Sequence, residues 1–267
     1  MEEIQKHTTP DERIASFDIL DVSNSRHHMS ALLECDATQA RAEIRTMRKK
    51  GYLISFNSWL LKIIAHTLKD YPMACAYKKG KRTIVSFNSI NISFLVEKHQ
   101  SGERFPTPYV IKEADKKKIA TIHQEIEKAK TGGASDNKEK SKLAWLQRLY
   151  TLLPAFMRKW FWRYLLSHPK RAFATMGNVA VTSIGGMANS TGWFIHKTIH
   201  PLSIGVGAIT QKPRVVGNQI VIRDVLHLTL LIDHDVIDGA PMARMTNRLV
   251  KNIEHHLLLE TKSHDAE

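Results

Sequence analysis

The chain has 267 residues and a mass of 30.4 kDa, a length that one large mixed α/β domain can fill. Its composition, 43% hydrophobic and 24% charged, excludes a disordered or fibrous protein. An excess of 39 Lys and Arg over 26 Asp and Glu gives a formal net charge of +13. That charge suits an anionic ligand, a nucleic acid or an acidic membrane surface, and it does not choose among them.

The cysteines and the N-terminus indicate a cytoplasmic protein. Cys35 and Cys75 are too far apart to form a metal or disulfide motif, and each lies in an apolar stretch typical of a core. The first 21 residues contain acidic side chains and no apolar signal-peptide segment, and no run reaches the roughly 18 apolar residues of a membrane span. We therefore expect an unprocessed chain.

Helix and strand periodicities alternate after a polar leader at 1–25. The predicted elements of the first half are a strand at 28–36, a basic helix at 37–50 closed by Gly51, a buried helix at 55–70 ended by Pro72, strands at 82–87, 90–96 and 107–111, and a helix at 115–130. A charged loop follows at 134–141. Residues 143–166 predict two short helices broken near Pro154.

The second half is predicted to be mostly strand. The predicted elements are strands at 178–183, 202–210, 214–223 and 226–233, with a tight turn at Gly217-Asn218, and a terminal helix at 240–259 with one apolar face. No internal repeat is visible. This order predicts a mixed sheet with helices packed against it.

The sequence DHDVIDG at 233–239 carries the clearest chemical signal. A strand that ends in His-x-x-x-Asp-Gly and leads into a helix places the imidazole of His234 at the mouth of the sheet, where a substrate can reach it. The structural alternative makes Asp238 a helix N-cap, with Pro241 in the first turn and His234 as an ordinary strand-end residue. On spacing alone, this alternative is the more frequent case.

Several further motifs, which follow one another in the order of a known family, favour the catalytic interpretation of His234. DHDVIDGA followed by the segment at 241–249 resembles the C-terminal signature of dihydrolipoamide acyltransferases, the core subunits of 2-oxo acid dehydrogenase complexes, and chloramphenicol acetyltransferase is similar at His-x-x-x-Asp-Gly. VAVTSIGG at 179–186, Pro201 with 204–207, and IKEADKKKIATIHQEI at 111–126 resemble further family segments, and 56–91 occupies the place of the family's buried helix and following strand. The resemblance covers about 26–259.

The resemblance implies an α/β fold, a two-layer α+β sandwich whose chloramphenicol acetyltransferase-like mixed sheet is flanked by helices. The acyltransferase domain would span 26–267, with a helical insertion at about 134–170. It also implies a homotrimer with the active site between subunits. The chain has no room for a lipoyl domain, so we expect no covalently bound lipoyl group. The acceptor would then be a separate lipoyl-carrying protein or a small hydroxyl or amine compound.

The implied reaction moves an acyl group between coenzyme A and an acceptor. His234 would act as general base, because an imidazole with a pKa near ~6.5 suits deprotonation of a thiol with a pKa near ~8.5. The hydroxyl of Thr182 would stabilise the oxyanion. Asp238 would be the family's structural aspartate, paired with Arg13 or Arg26. We expect neither a metal nor a nucleic acid partner.

Two departures from the family keep other functions open. Thr182 stands where the family has serine, with Ser183 on the opposite strand face, and Asp235 stands where the complexes usually have arginine. A catalytically inactive scaffold, or a membrane- or protein-binding module with the same fold, is therefore one alternative. A condensation-type acyltransferase is the second, although such domains prefer a second histidine where this chain has Asp233.

Other signals in the sequence are less specific. His196 and His200 would share a helix face if helical, yet a third metal ligand is missing. His28 and Trp193 are candidates for lining the pocket. The aromatic and basic segment at 143–166 is interpreted as a lid over a hydrophobic acceptor, an interfacial membrane helix or a trimer-packing element. Internal packing is the default expectation, and a membrane surface is the less favoured partner.

Overall fold

The computed structural model describes residues 11–100, 103–131, 145, 148–184 and 192–259. A six-stranded mixed sheet, in the order β1-β8-β7-β6-β4-β5, forms its centre. β6 pairs with both β4 and β7 in parallel, and the other pairs are antiparallel. The strands are β1 His28–Asp36, β4 Ile92–Gln100, β5 Glu103–Ile111, β6 Val179–Ser183, β7 Leu202–Val216 and β8 Gln219–Asp233, with β2 Tyr77–Lys79 and β3 Thr83–Val85 in a separate hairpin.

The helices are α1 Asp11–Ser23, α2 Thr38–Lys49, α3 Phe56–Lys69, α4 Ile119–Lys130, α5 Ala155–Ser167, α6 Pro169–Met176 and α7 Gly239–Glu254, with a 3-10 turn at Pro72–Cys75. The predicted mixed sheet flanked by helices is therefore confirmed. Among the described residues, no helix is both long enough and apolar enough to cross a membrane.

One face of the sheet packs against helices and forms the main core. Every second residue of β8, from Leu226 to Ile232, is buried on this face, as the two-residue period of a strand requires. Trp59, Ile63 and Ile64 of α3 pack in the same core. A capping box begins α3, since Ser55 and Ser58 each bond the other's backbone N–H. The predicted buried helix is confirmed.

The other face of the sheet carries small and polar side chains. Ser203, Thr229 and Asp233 are buried there, beneath a segment that runs over the sheet at 192–200. Gly205 permits this close approach. A Cβ at that position would lie 3.1 Å from His196 Nδ1 and from the ring of Phe194.

The β7–β8 hairpin is longer than the sequence suggested. Each strand has 15 residues, and the turn falls at the predicted Gly217-Asn218. β1 pairs with β8 only from Val225 onward, so the distal half of the hairpin projects past the sheet. Helix α4 also begins later than predicted, at Ile119, because the Asp115 carboxylate accepts the Ile90 backbone N–H at 2.9 Å instead of capping a helix.

The predicted leader and the insertion pack together. Within 1–25, α1 contacts α5, and a second buried cluster contains Val22, Tyr77, Leu165 and Leu166. Trp162 packs against this cluster, in line with the default expectation for the segment. That expectation is wrong for the opposite side of α5, where the large apolar side chains are exposed.

Candidate active site

His234 lies in the turn after β8, at the end of the sheet where β1 begins. Its backbone N–H donates to the His27 carbonyl at 2.8 Å, and His28 pairs with Asp233 in the β1–β8 register. The His234 side chain is exposed. A reacting group can therefore approach this imidazole from solvent, as a general base requires.

A buried ion pair fixes the start of this turn. Arg26 donates to Oδ2 of Asp233 at 3.0 Å, and the side chains are 12% and 1% exposed. Oδ1 of Asp233 accepts the Asp235 backbone N–H at 3.1 Å. The Asp233 backbone N–H donates to the Pro201 carbonyl. Both carboxylate oxygens are thus used to shape the turn that presents His234.

The expected partner of Asp238 is corrected by this geometry. Arg26 binds Asp233 instead, because the strand end directs Asp233 into the buried face while Asp238 lies five residues later, beyond the turn. Arg13 lies over the ring of Phe17, 5.7 Å from its centroid. Asp238 is exposed at the N-cap position of α7, and its side chain makes no capping hydrogen bond. Arg26 is therefore paired with Asp233 in this chain, and the role of Asp238 stays a prediction.

Asp235 ties the other side of the turn to the small hairpin. Lys78 of β2 donates to its Oδ2 at 2.9 Å, and His27 Nδ1 lies 3.2 Å from its Oδ1. The hydrogen bond from Lys78, with a smaller contribution from His27, lowers the pKa of the Asp235 carboxyl. The carboxylate is therefore ionised at neutral pH, and the turn is held from two directions.

Thr182 lies at the other end of the sheet from His234. It is half-buried on the polar face, opposite Gly205, which is in turn opposite Thr229. Two strand spacings across and five residues along β8 separate the Cα atoms of Thr182 and His234 by about 19 Å. One chain alone does not bring these two side chains together.

Ser183 and Trp193 lie nearer to Thr182 than to His234. Ser183 alternates with Thr182 and is half-buried on the opposite side of β6. The Trp193 indole N–H donates to the Leu33 carbonyl at 2.8 Å, and its ring meets the buried His227 ring edge-on. These predicted pocket residues therefore do not surround His234 within one chain.

Three histidines with lowered pKa values lie together at the 192–200 segment: His196 and His200 belong to it, and His28 of β1 lies beneath it. His28 bonds the His200 carbonyl at 3.0 Å through Nε2, and His200 bonds the Met176 carbonyl through its own Nε2. Burial lowers the pKa of His28, and it lowers the pKa of His196 and His200 to about 4. His196 Nε2 lies 2.6 Å from Ser203 Oγ. No group of three metal-ligating side chains is found in the part of the chain that the structure describes.

A cavity beside α2 could hold an anionic ligand. It has a volume of about 530 Å³ and is lined by Arg41, Ile44, Arg45, Arg48, Lys49 and Phe56. Arg41 is engaged by Asp224, whereas Arg45, Arg48 and Lys49 are exposed. Arg48 and Lys49 also suit the C-terminal end of a helix dipole, so their charges have a structural use as well. His234 is not among the lining residues.

Comparison with known families decides what this fold is. The model of the 2-oxoacid dehydrogenases acyltransferase (catalytic domain) family matches residues 8–143 and 175–260. The chain belongs to this family. The matched ranges include α1 and the His234 turn, and they leave out residues 144–174, where a helical insertion at about 134–170 was predicted.

Related proteins agree with this assignment. The dihydrolipoyllysine-residue acetyltransferase component of the Staphylococcus epidermidis pyruvate dehydrogenase complex is 27% identical over 257 residues, which are 95% of this chain and 48% of that protein. The chain thus spans about half the length of this relative.

Two solved structures show that the fold is shared. A probable dihydrolipoamide acetyltransferase from Listeria monocytogenes superposes with a TM-score of 0.70 at 21% identity, covering 97% of this chain and 98% of that one. The Azotobacter vinelandii dihydrolipoamide acetyltransferase, studied for the role of a serine, a histidine and an asparagine in its catalytic mechanism, superposes with a TM-score of 0.66 at 20% identity, covering 95% and 92%.

Sequence reasoning missed three features of this acyltransferase-family site. Arg26 was named, but with the wrong carboxylate, and Lys78 and the α2 cavity were not proposed. The β1–β8 register sets His28 opposite Asp233 and so brings Arg26, two residues before that strand, to the Asp233 carboxylate; this register is a property of the folded sheet that no single sequence segment encodes.

Proposed function

We propose that this chain is an acyltransferase that moves an acyl group between coenzyme A and a thiol, hydroxyl or amine acceptor, with His234 as general base. The observation that supports this best is the exposed His234 imidazole on a turn braced by Arg26–Asp233 and Lys78–Asp235. Such bracing fixes the backbone from which the imidazole projects, as a positioned catalytic group requires.

In the proposed step, the His234 imidazole accepts the proton of the acceptor thiol while the sulfur attacks the thioester carbonyl. The tetrahedral intermediate then expels the coenzyme A thiolate, which takes the proton back from the imidazolium. No covalent enzyme intermediate is required. A fixed hydroxyl near the oxyanion would contribute on the order of 10²-fold in rate.

We assign that hydroxyl to Thr182 of a neighbouring subunit. The separation of about 19 Å between the two Cα atoms within one chain, estimated from sheet spacing, exceeds what the two side chains can bridge. A homotrimer that sets the His234 end of one sheet against the Thr182 end of the next would complete the site. Trp193 would then line the pocket from the Thr182 side and His28 from the His234 side, whereas Ser183 faces the other side of β6.

The Azotobacter vinelandii relative supports the choice of residues. A serine, a histidine and an asparagine were investigated there. The asparagine lies four positions after the histidine, and Asp238 lies four positions after His234. We therefore propose Asp238, exposed beside the turn, as a third site residue.

The α2 cavity is the proposed site for the phosphates of coenzyme A. Arg45, Arg48 and Lys49 are exposed there, and Phe56 offers a ring against which a base can stack. The acceptor is proposed to be a lipoyl group on a separate protein or a small molecule, since the relative's own name specifies dihydrolipoyllysine.

The test is thiol release from acyl-coenzyme A of varied chain length, with dihydrolipoamide and small alcohols or amines as acceptors. We expect His234→Ala to abolish transfer while far-UV circular dichroism and oligomeric mass stay unchanged. His255→Ala, at an exposed histidine after α7, is the matched control and should keep full activity. Wild-type protein that releases no thiol from any acyl thioester would instead favour the inactive-scaffold alternative.

A further inference from the structure

Helix α5 presents an aromatic and cationic face that the family match does not include. The unmatched residues 144–174 contain this helix. Phe156, Trp160 and Met157 of this helix are 71%, 65% and 42% exposed. Buried apolar side chains are the norm in a folded domain, and several large exposed ones close together indicate a surface that meets another phase or partner.

The other side of α5 is firmly attached, so this exposure does not come from a loosely held helix. Arg158 and the Tyr150 hydroxyl both donate to the buried Asp18 carboxylate of α1 at 2.7 Å, and the Trp162 indole donates to Tyr150 at 2.9 Å. Leu165 and Leu166 are buried in the cluster below. The helix therefore has two apolar sides, of which one packs inward.

The groove on the outward side of α5 is lined by one cation and no carboxylate. Phe156, Trp160 and Arg163 follow one another at helical spacing and line a groove of about 410 Å³ with Met157. Between Glu139 and Asp224 the sequence contains no Asp or Glu at all. Among the described residues, Arg163 forms no ion pair, whereas Lys159 is paired with Asp21 and Arg158 with Asp18.

We propose that this face, the α5 face, docks on an anionic phospholipid membrane. Trp and Phe side chains suit the boundary between headgroups and acyl chains, and each nearby Lys or Arg adds attraction to a negatively charged leaflet. Two copies of this face would not pair with each other, because they would bring arginines together with no carboxylate between them, and contact with a different face of a neighbouring subunit is an outcome of the test below. A nucleic acid would satisfy the cation of the groove but would leave Phe156 and Met157 without an apolar partner.

The experiment is vesicle co-sedimentation of the full-length oligomeric protein. Vesicles of phosphatidylcholine alone are compared with vesicles that contain about one third phosphatidylglycerol. We expect binding to the anionic vesicles only, weakened by salt, with a blue shift of tryptophan fluorescence.

Substitutions on the α5 face separate the electrostatic from the apolar contribution to vesicle binding. Arg163→Glu should weaken binding roughly thirty-fold, since two units of charge change close to the surface, whereas Lys81→Glu, an exposed cation in the β2–β3 turn, should change it little. Phe156→Glu combined with Trp160→Glu should abolish binding. Ile220→Glu with Ile222→Glu, equally exposed on the β7–β8 hairpin, is the control that should keep it.

Three results would overturn the proposal. They are no binding of wild-type protein to anionic vesicles, equal binding of the α5 variants and the controls, or a change of oligomeric mass in the α5 variants without a change in vesicle binding. The last would identify the face as a contact between subunits. His234→Ala should bind vesicles as wild type does, so the outcome does not depend on the catalytic proposal.

Discussion

The ion pair beneath the His234 turn makes a sharp test of how this site is held. Replacing Arg26 with Met keeps most of the side-chain volume and removes the charge. Asp233 would then be left 1% exposed, with only the Asp235 N–H on its carboxylate besides its own backbone contacts. Loss of one partner from a buried pair costs about 3–5 kcal/mol, because the other charge stays buried and uncompensated.

Replacing the other partner of the pair, Asp233, should lower the free energy of unfolding by less. In Asp233→Asn the amide oxygen still accepts the Asp235 N–H, and the 12% exposed Arg26 can turn toward water, so we expect a loss of about 1–3 kcal/mol. The double variant should cost less than the sum of the two, with a coupling energy of about 1–3 kcal/mol. Displacement of the turn by about 1 Å should also lower kcat by up to about 10²-fold.

Urea unfolding followed by circular dichroism gives the stabilities, and thiol release gives kcat. Arg41→Met is the control, because the Arg41–Asp224 pair is 36% and 22% exposed and should be worth at most about 1 kcal/mol. A loss below about 1 kcal/mol for Arg26→Met, or a coupling energy near zero, would refute the idea that this pair holds the turn.

Three further predictions address other parts of the chain. Lys78→Met should raise the pKa of Asp235 toward its ordinary value, measured by carboxyl-carbon NMR titration, because its main hydrogen-bond donor is lost. The free energy of unfolding should fall as the pH drops from about 6.5 to about 4, by up to ~1.4 kcal/mol per pH unit for each histidine. The reason is that His196 and His200 bind protons in the unfolded chain over this range, whereas burial keeps them unprotonated in the folded chain. Gly177→Ala should cost about 3 kcal/mol in urea unfolding, because φ is +75° and a Cβ would overlap the Asn91 carbonyl.

Each of these has a matched control. Lys81→Met should leave the Asp235 titration unchanged. His200→Gln should flatten the pH dependence while the exposed His255→Gln does not, and an unchanged slope in His200→Gln would contradict the assignment. Gly217→Ala, with φ of +61° and open space around it, should cost only about 1 kcal/mol. A cost for Gly177→Ala no greater than that would show that the Asn91 contact does not matter.

The sequence predicted best those helices and strands whose degree of burial stays the same along their length. β1 and α3 were found nearly to the residue, because α3 is buried along most of its length and Ala31, Leu33 and Cys35 of β1 alternate toward the core. β7 was predicted too short, since its distal half contains Pro213 and alternates exposed residues without a neighbouring strand beyond the hairpin. The alternation of apolar and polar residues indicates a strand only where one face of that strand is buried, and the projecting half of the hairpin has little buried surface.

The candidate site was predicted in part for a similar reason. The motif at 233–239 pointed to His234, and the structure places that side chain in the open. Which aspartate meets Arg26 depended on where the turn directs Asp233 and Asp238, and that is a property of the β1–β8 register. The separation of Thr182 from His234 likewise follows only from sheet order, which no single segment encodes.

Subunit complementation is the most direct test of a shared active site. His234→Ala and Thr182→Ala are expected to be inactive or at least ~10²-fold slower when each is produced alone. Mixed trimers from equal co-expression should recover about one quarter of the wild-type sites, because a site needs an intact histidine from one subunit and an intact threonine from the next. No recovery, or full activity of Thr182→Ala alone, would contradict a site built from both side chains across the subunit boundary.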